Sequence, residues 1–195
     1  MEKDKKKLST LSRRSRRKGA GYEKKIEDVL HDFLMSKSSR YREVFSETDG
    51  VVRVKRDATS FGDLTGVGDI NIPLVKTFPI SPECKHEKTL NMSIDSLFRK
   101  KSTVLFDYWR KHRDKLIKAG RESLYPVLFF RANNTLDYVL FCKQHFYWWF
   151  SVPPGMSCMR VCDGSMDFFI FTLTDFLKVI VGDGNTDLSD MRKRD

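Results

Sequence analysis

Residues 66–88, GVGDINIPLVKTFPISPECKHEK, decide how the rest of the chain is read. Two short apolar segments, around Asp69–Val75 and Ile80–Lys85, are bounded by glycine and proline, which predicts two strands. Asp69 stands where a glycine-rich loop enters the first. Glu83 and Lys85 stand in the second, with Cys84 between them. Side chains alternate faces along a strand, so Glu83 and Lys85 project to one side and Cys84 to the other, toward a core. A hairpin would place Asp69 beside Glu83. Two carboxylates on neighbouring strands repel each other, and a hard divalent cation between them turns that repulsion into attraction. Magnesium takes a few carboxylate oxygens together with water and phosphate oxygens, and it acidifies a bound water. A lysine on the same face can hold the attacking water or neutralise charge developing on a phosphate. These are the groups that phosphodiester hydrolysis needs, a reaction so slow unaided that metal and positioned charge must supply most of the acceleration. An E-x-K triplet also occurs on solvated strand faces. Pro82 supplies no ladder donor, which speaks against a deep central strand or marks where the strand starts.

Upstream, Tyr22, Ile26, Val29, Leu30, Phe33 and Leu34 recur at steps of three and four, one stripe of a helix beginning at Gly21, with Glu23 in its first turn. Val51–Lys55 reads as a short strand, and RDATSFGDLTGVG as a loop. Downstream, Ile94, Leu97, Phe98, Val104, Leu105, Tyr108 and Trp109 predict a long helix, capped by Asn91 or Ser93 and ending near Gly120. Pro126–Arg131 and Tyr138–Cys142 are apolar strands of a hairpin-like pair. Phe168–Phe171 is a further strand, and a last helix starts at Thr172 or Thr174. The order predicts an α/β fold, a mixed central sheet flanked by helices. Residues 1–18 hold nine Lys or Arg against two acids and almost nothing apolar, the composition of a flexible basic arm. Residues 19–181 form the folded domain and 182–195 a polar tail.

The chain of 195 residues carries 36 Lys and Arg against 26 Asp and Glu, a net charge of +10, which favours a polyanionic partner. Nucleic acid is the first candidate and an anionic membrane the second. No stretch approaches the roughly 20 apolar residues that span a bilayer. The opening MEKDKKKLSTLSRRSRRKG lacks the apolar segment of a secretory signal, so a cytoplasmic protein is expected, although RRSRRK also reads as a nuclear address. Only Cys158 and Cys162 are close together, without the second ligand pair that a zinc site needs.

A basic segment leading into a helix with a glutamate (KGAGYEKKIEDVL), a loop entering a strand at an aspartate (VGDI), then ECK and a long helix resembles the PD-(D/E)xK nuclease superfamily. Within that superfamily, with its restriction-endonuclease-like fold, the likeness is to the archaeal-type Holliday-junction resolvases, of the kind also found in viruses. It covers roughly residues 16–142. The resemblance implies that Asp69 and Glu83 ligate Mg²⁺, or Mn²⁺ as a substitute, with the Cys84 carbonyl as a further ligand. Lys85 would position the water, and Glu23 would complete the metal shell. It also implies a homodimer acting on branched DNA in recombination or repair, in the host cytoplasm if the chain is viral. Beside it stand plainer readings. Asp63 and Asp57 suit turn chemistry, His86 is a lone surface histidine, Glu87 a solvated charge, and Glu23 a first-turn glutamate favoured by the helix dipole.

For binding, Arg13, Arg14, Arg16, Arg17 and Lys18 would track a phosphate backbone together with Arg99, Lys100, Lys101, Arg110, Lys111, Arg113, Lys115 and Lys118. The aromatic run Phe146–Phe150 is expected in the core or an interface rather than stacked on bases. Three functions remain open. They are a structure-specific endonuclease, another nuclease of the same fold (a repair exonuclease or site-specific enzyme), and a DNA-binding protein that no longer cuts. The presence of all four catalytic residue types argues against the last.

Overall fold

The computed structural model describes residues 2–37, 42, 52–53, 70–71, 80–87, 104–144, 158–163 and 166–181; for 2–17, 52–53, 70–71 and 181 it describes the backbone alone. In chain order the elements are α1 (Glu2–Lys37), β1 (Val52–Arg53), β2 (Ile70–Asn71), β3 (Ile80–Glu87), α2 (Val104–Lys118), β4 (Tyr125–Ala132), β5 (Tyr138–Cys142), β6 (Met159–Asp163), β7 (Met166–Thr172) and α3 (Leu173–Val181). Five strands form one mixed sheet in the order β3-β4-β5-β7-β6, with β3 and β4 parallel and every other pair antiparallel. Parallel neighbours need a crossover connection, and α2 lies in it. β1 and β2 form a separate antiparallel ribbon, and β2 runs alongside β3.

The nearly unbroken apolar run of β4 is that of a strand covered on both faces. On one face, Val127 and Phe129 meet Val139, Phe141 and Phe171, under Tyr22, Ile26, Leu30 and Leu34 of α1 and Phe176, Val179 and Ile180 of α3. On the other, Leu128 and Phe130 meet Leu140, Phe168 and Ile170, under Leu105, Phe106 and Trp109 of α2. Each such side chain contributes about 1.5–3 kcal/mol by leaving water. The result is a helix–sheet–helix sandwich, the expected α/β arrangement.

Local signals place the ends. Gly120 takes φ 65°, with Gly120 N–H donating to Ile117 O at 3.0 Å and Arg121 N–H to Leu116 O at 2.9 Å, the paired bonds that close α2. Thr172 caps α3, accepting from the Asp175 N–H at 3.1 Å and donating to its carboxylate at 2.8 Å. Pro82 lies on β3, which within the five-stranded sheet pairs only with β4, an edge position of the kind where a residue without a ladder donor is tolerated.

Several boundaries differ from those read in the sequence. Helix α1 begins at Glu2 rather than Gly21, so the basic segment is its N-terminal half. Lys, Arg, Leu and Ala favour helix and no proline intervenes, so Gly19 and Gly21, at a cost of about 1 kcal/mol each, do not stop it. β3 runs two residues beyond Lys85. β6 was not expected, because with Val161 as its one buried residue it shows too little apolar alternation. The connected strand Asp69–Val75 is described only at Ile70–Asn71, and Val51–Lys55 only at Val52–Arg53. The first part of the long helix, the aromatic run Phe146–Phe150 and the tail from Gly182 lie outside the described residues. No helix among the described residues is long and apolar enough to cross a membrane.

Candidate active site

β3 carries opposite chemistries on its two faces. Cys84 is buried in the core beneath α1, with Ile80. His86 meets the edge of the Tyr22 ring of α1, the centroids 5.9 Å apart. Glu83, Lys85 and Glu87 turn the other way, toward α2, as strand alternation requires. There Lys85 Nζ donates to Glu83 Oε1 at 2.6 Å and to the Cys84 carbonyl at 3.2 Å.

Helix α2 supplies three more partners at helical spacing, Tyr108, His112 and Lys115, which fall on one flank. The Tyr108 hydroxyl donates to Glu87 Oε1 at 2.8 Å, and its ring lies 5.5 Å from Lys85 Nζ. His112, 1% exposed, donates from Nε2 to the Ser81 carbonyl at 2.9 Å and turns Nδ1 to within 3.6 Å of Glu83 Oε2. Lys115 Nζ stands 3.6 Å from Glu83 Oε1.

Glu83 is therefore a carboxylate only 5% exposed, ringed by cationic and donor groups. Burial pushes its carboxyl up, but Lys85, then His112 and Lys115, outweigh burial and hold it below the usual carboxylate range. A depressed folded value means that ionised Glu83 contributes stability above its unfolded pKa of about 4.3 and loses it as pH falls through the folded value. Thermal melts of metal-free wild type and Glu83→Gln should differ by a constant amount above that unfolded value, the wild type losing its advantage as acid is added below it. An advantage that grows in acid would mean burial outweighs the cations. Burial, reinforced by the bond to Glu87, pushes the Tyr108 hydroxyl up to about 12, so it stays a donor at neutral pH.

The donor chemistry suits a hard divalent cation. Lys85 Nζ already sits between a carboxylate oxygen and a peptide oxygen, the two kinds of oxygen that magnesium accepts. Asp69, the expected second carboxylate, lies outside the described residues. β2, which begins at the next residue, runs against β3. Among the described residues no three His, Cys, Asp or Glu side chains form a metal cluster. Glu23 is half-buried on α1, one residue after Tyr22, in the layer on the other side of β3 from α2.

Other expectations change. Glu87 is not a solvated charge, because the Tyr108 hydroxyl holds it. His86 is not a lone surface histidine. Its Nε2 lies 3.2 Å from Asn133 Oδ1 and its Nδ1 3.4 Å from the Lys18 carbonyl. Lys18 Nζ also reaches Asn133 Oδ1 at 3.4 Å. Arg13, Arg14, Arg16 and Arg17 lie on α1, where only the backbone is described, and Arg99, Lys100 and Lys101 lie outside the described residues, as do Asp57 and Asp63. Sequence reading missed Tyr108 and His112 as site residues and placed Lys115 on the phosphate-tracking surface rather than beside Glu83. Their shared flank was available from their spacing, but which strand that flank faces was not.

A family model described as "Phage putative PDDEXK endonuclease" matches residues 14–178. Neither a curated protein nor a solved structure matches the chain.

Proposed function

This chain belongs to the phage PD-(D/E)xK endonuclease family, and from that premise we propose that it is a divalent-metal-dependent endonuclease that cuts branched DNA such as four-way junctions. Family membership makes it a nuclease with DNA as substrate, and the mixed sheet between helices is the restriction-endonuclease-like fold. The observation that carries the metal-dependent reading is the pairing on β3: a buried Glu83 and a half-buried Lys85, on one face, joined at 2.6 Å.

A bound Mg²⁺, with Mn²⁺ as substitute, supplies an acidified water and charge neutralisation at the phosphate. Glu83 and the Cys84 carbonyl are the described oxygens that would hold the ion, with Asp69 as the proposed second carboxylate and Glu23 as a further contributor. Lys85 keeps its ammonium beside Glu83, where it orients the attacking water and offers positive charge to the phosphate. His112, hydrogen-bonded to the strand at Ser81, keeps α2 and the Glu83 carboxylate in register.

Preference for structure over sequence rests on the kind of cation present. The cations described beside Glu83 are the lysines Lys85 and Lys115, and contacts with phosphates position a protein without reading bases. Paired cuts across a four-way junction need two sites, so a homodimer is the assembly that fits. The host cytoplasm is where a phage enzyme of this kind would act.

Four-way junction, flap, duplex and single-stranded DNA, each incubated with Mg²⁺, Mn²⁺, Ca²⁺ or excess EDTA, test this reading. Cleavage is expected with Mg²⁺ and Mn²⁺, binding with little cutting in Ca²⁺, and none in EDTA. Robust cutting in EDTA would overturn the metal requirement. Duplex or free ends cut faster than junctions would favour another nuclease of the same fold.

A further inference from the structure

The outer surface of α2 carries a row of cations that leads to the active site. Lys111, Lys115 and Lys118 are exposed and spaced four and three residues apart, so they line one side of the helix. The acid beside them is Asp114. Lys111 and Lys118 form no ion pair within 4.0 Å among the described residues, whereas Arg110, on another side of α2, is held by Asp107 and Asp163. Lys115, the middle member, has its side chain 59% exposed, yet its ammonium stands 3.6 Å from the buried Glu83 carboxylate. It joins the surface row to the site.

Resting on the nuclease reading above, we propose that Lys111, Lys115 and Lys118 form a backbone track along α2 that brings the cleaved DNA strand to Glu83. Seven residues of helix span about 10 Å, and phosphates follow each other at about 3.4 Å of axial rise per strand. The row therefore spans about three phosphate steps. With Lys115 over a phosphate inside that span, that phosphate passes beside Glu83 and Lys85, and Lys111 and Lys118 hold phosphates on either side of it. The track fixes the polarity-independent line of the strand, not its sequence, because each contact is a point charge on a phosphate.

The test compares two double variants of the full chain with equal charge loss. One removes Lys111 and Lys118 (Lys111→Ala with Lys118→Ala). The control removes Lys24 and Lys178, exposed lysines of α1 and α3 in the layer across the sheet. Junction and duplex binding are measured over a salt series in Ca²⁺. The track variant is expected to flatten the slope of log affinity against log salt by about 1.8, at about 0.9 per contact, and to raise KM at moderate salt with little loss of kcat. The control should leave the slope unchanged. Equal flattening by both variants would reduce the effect to net charge and overturn the track, as would an unchanged slope in the track variant. Wild type that binds and cuts DNA while the track variant behaves identically sinks only this inference. Wild type that neither binds nor cuts sinks the nuclease reading, and the track with it.

Discussion

Glu83→Gln is expected to lower the single-turnover cleavage rate by at least 10²–10³-fold, about the loss seen when one preorganised electrostatic group is removed, while leaving DNA affinity intact. The substitution keeps the shape of the side chain and removes its charge. In the folded protein Lys85, His112 and Lys115 all turn toward that carboxylate, so its loss leaves three partners arranged around a neutral amide. Affinity measured in Ca²⁺ should stay level or rise, because a negative charge that repels the phosphates has gone. Lys85→Ala should give the same pattern of lost rate and kept binding. The position of the second carboxylate is decided by Asp69→Ala beside Asp63→Ala, with only the first expected to abolish cutting. If Asp63→Ala kills cleavage and Asp69→Ala spares it, the register of the strand leading into β2 has been misread. A Glu83→Gln protein that cuts at the wild-type rate would remove β3 from the chemistry altogether.

That site was legible in the sequence to the extent that strand alternation carries it. Glu83 and Lys85 had to share a face and Cys84 had to take the other, and the structure places them so. The paired strands Tyr125–Ala132 and Tyr138–Cys142 were equally readable, since their apolar runs are separated by turn-forming residues. What the sequence hid is what tertiary packing decides. The flank of α2 that carries Tyr108, His112 and Lys115 is visible as a spacing, but a parallel crossover is needed to lay it along β3. The same layering separates α1 from the Glu83 face, so Glu23 lies in the opposite layer despite its place in a recognisable motif. At the N-terminus local composition hid the start of the helix. A segment dense in Lys and Arg reads as a solvated arm, although those residue types are good helix formers, and α1 runs unbroken through it.

The largest expected loss of stability comes from Trp109, the anchor that holds α2 against the sheet. The ring is 1% exposed, packs edge-on to Phe168 with centroids 5.0 Å apart, and donates from Nε1 to the Pro126 carbonyl at 2.9 Å. Truncation to alanine removes the packing, opens a cavity and leaves a buried carbonyl without its donor. Substitutions of this kind cost about 3–5 kcal/mol, a large share of the roughly 5–15 kcal/mol that a domain has in total. For a chain of this size, where 1 kcal/mol shifts Tm by about 2–4 °C, Trp109→Ala should lower Tm by about 6–20 °C in a thermal melt. Trp109→Phe separates the contributions, because it retains most of the apolar contact and gives up the hydrogen bond, a net loss of about 1 kcal/mol. The two variants should also differ in function. Three site residues, Tyr108, His112 and Lys115, ride on the helix that Trp109 fixes, so loosening α2 moves all three relative to β3 at once. Trp109→Ala should therefore weaken cleavage at temperatures well below its own melting point, whereas Trp109→Phe should cut at close to the wild-type rate. A Trp109→Ala protein melting within 2 °C of wild type, with unchanged cleavage, would mean that α2 is held in place by contacts other than this ring.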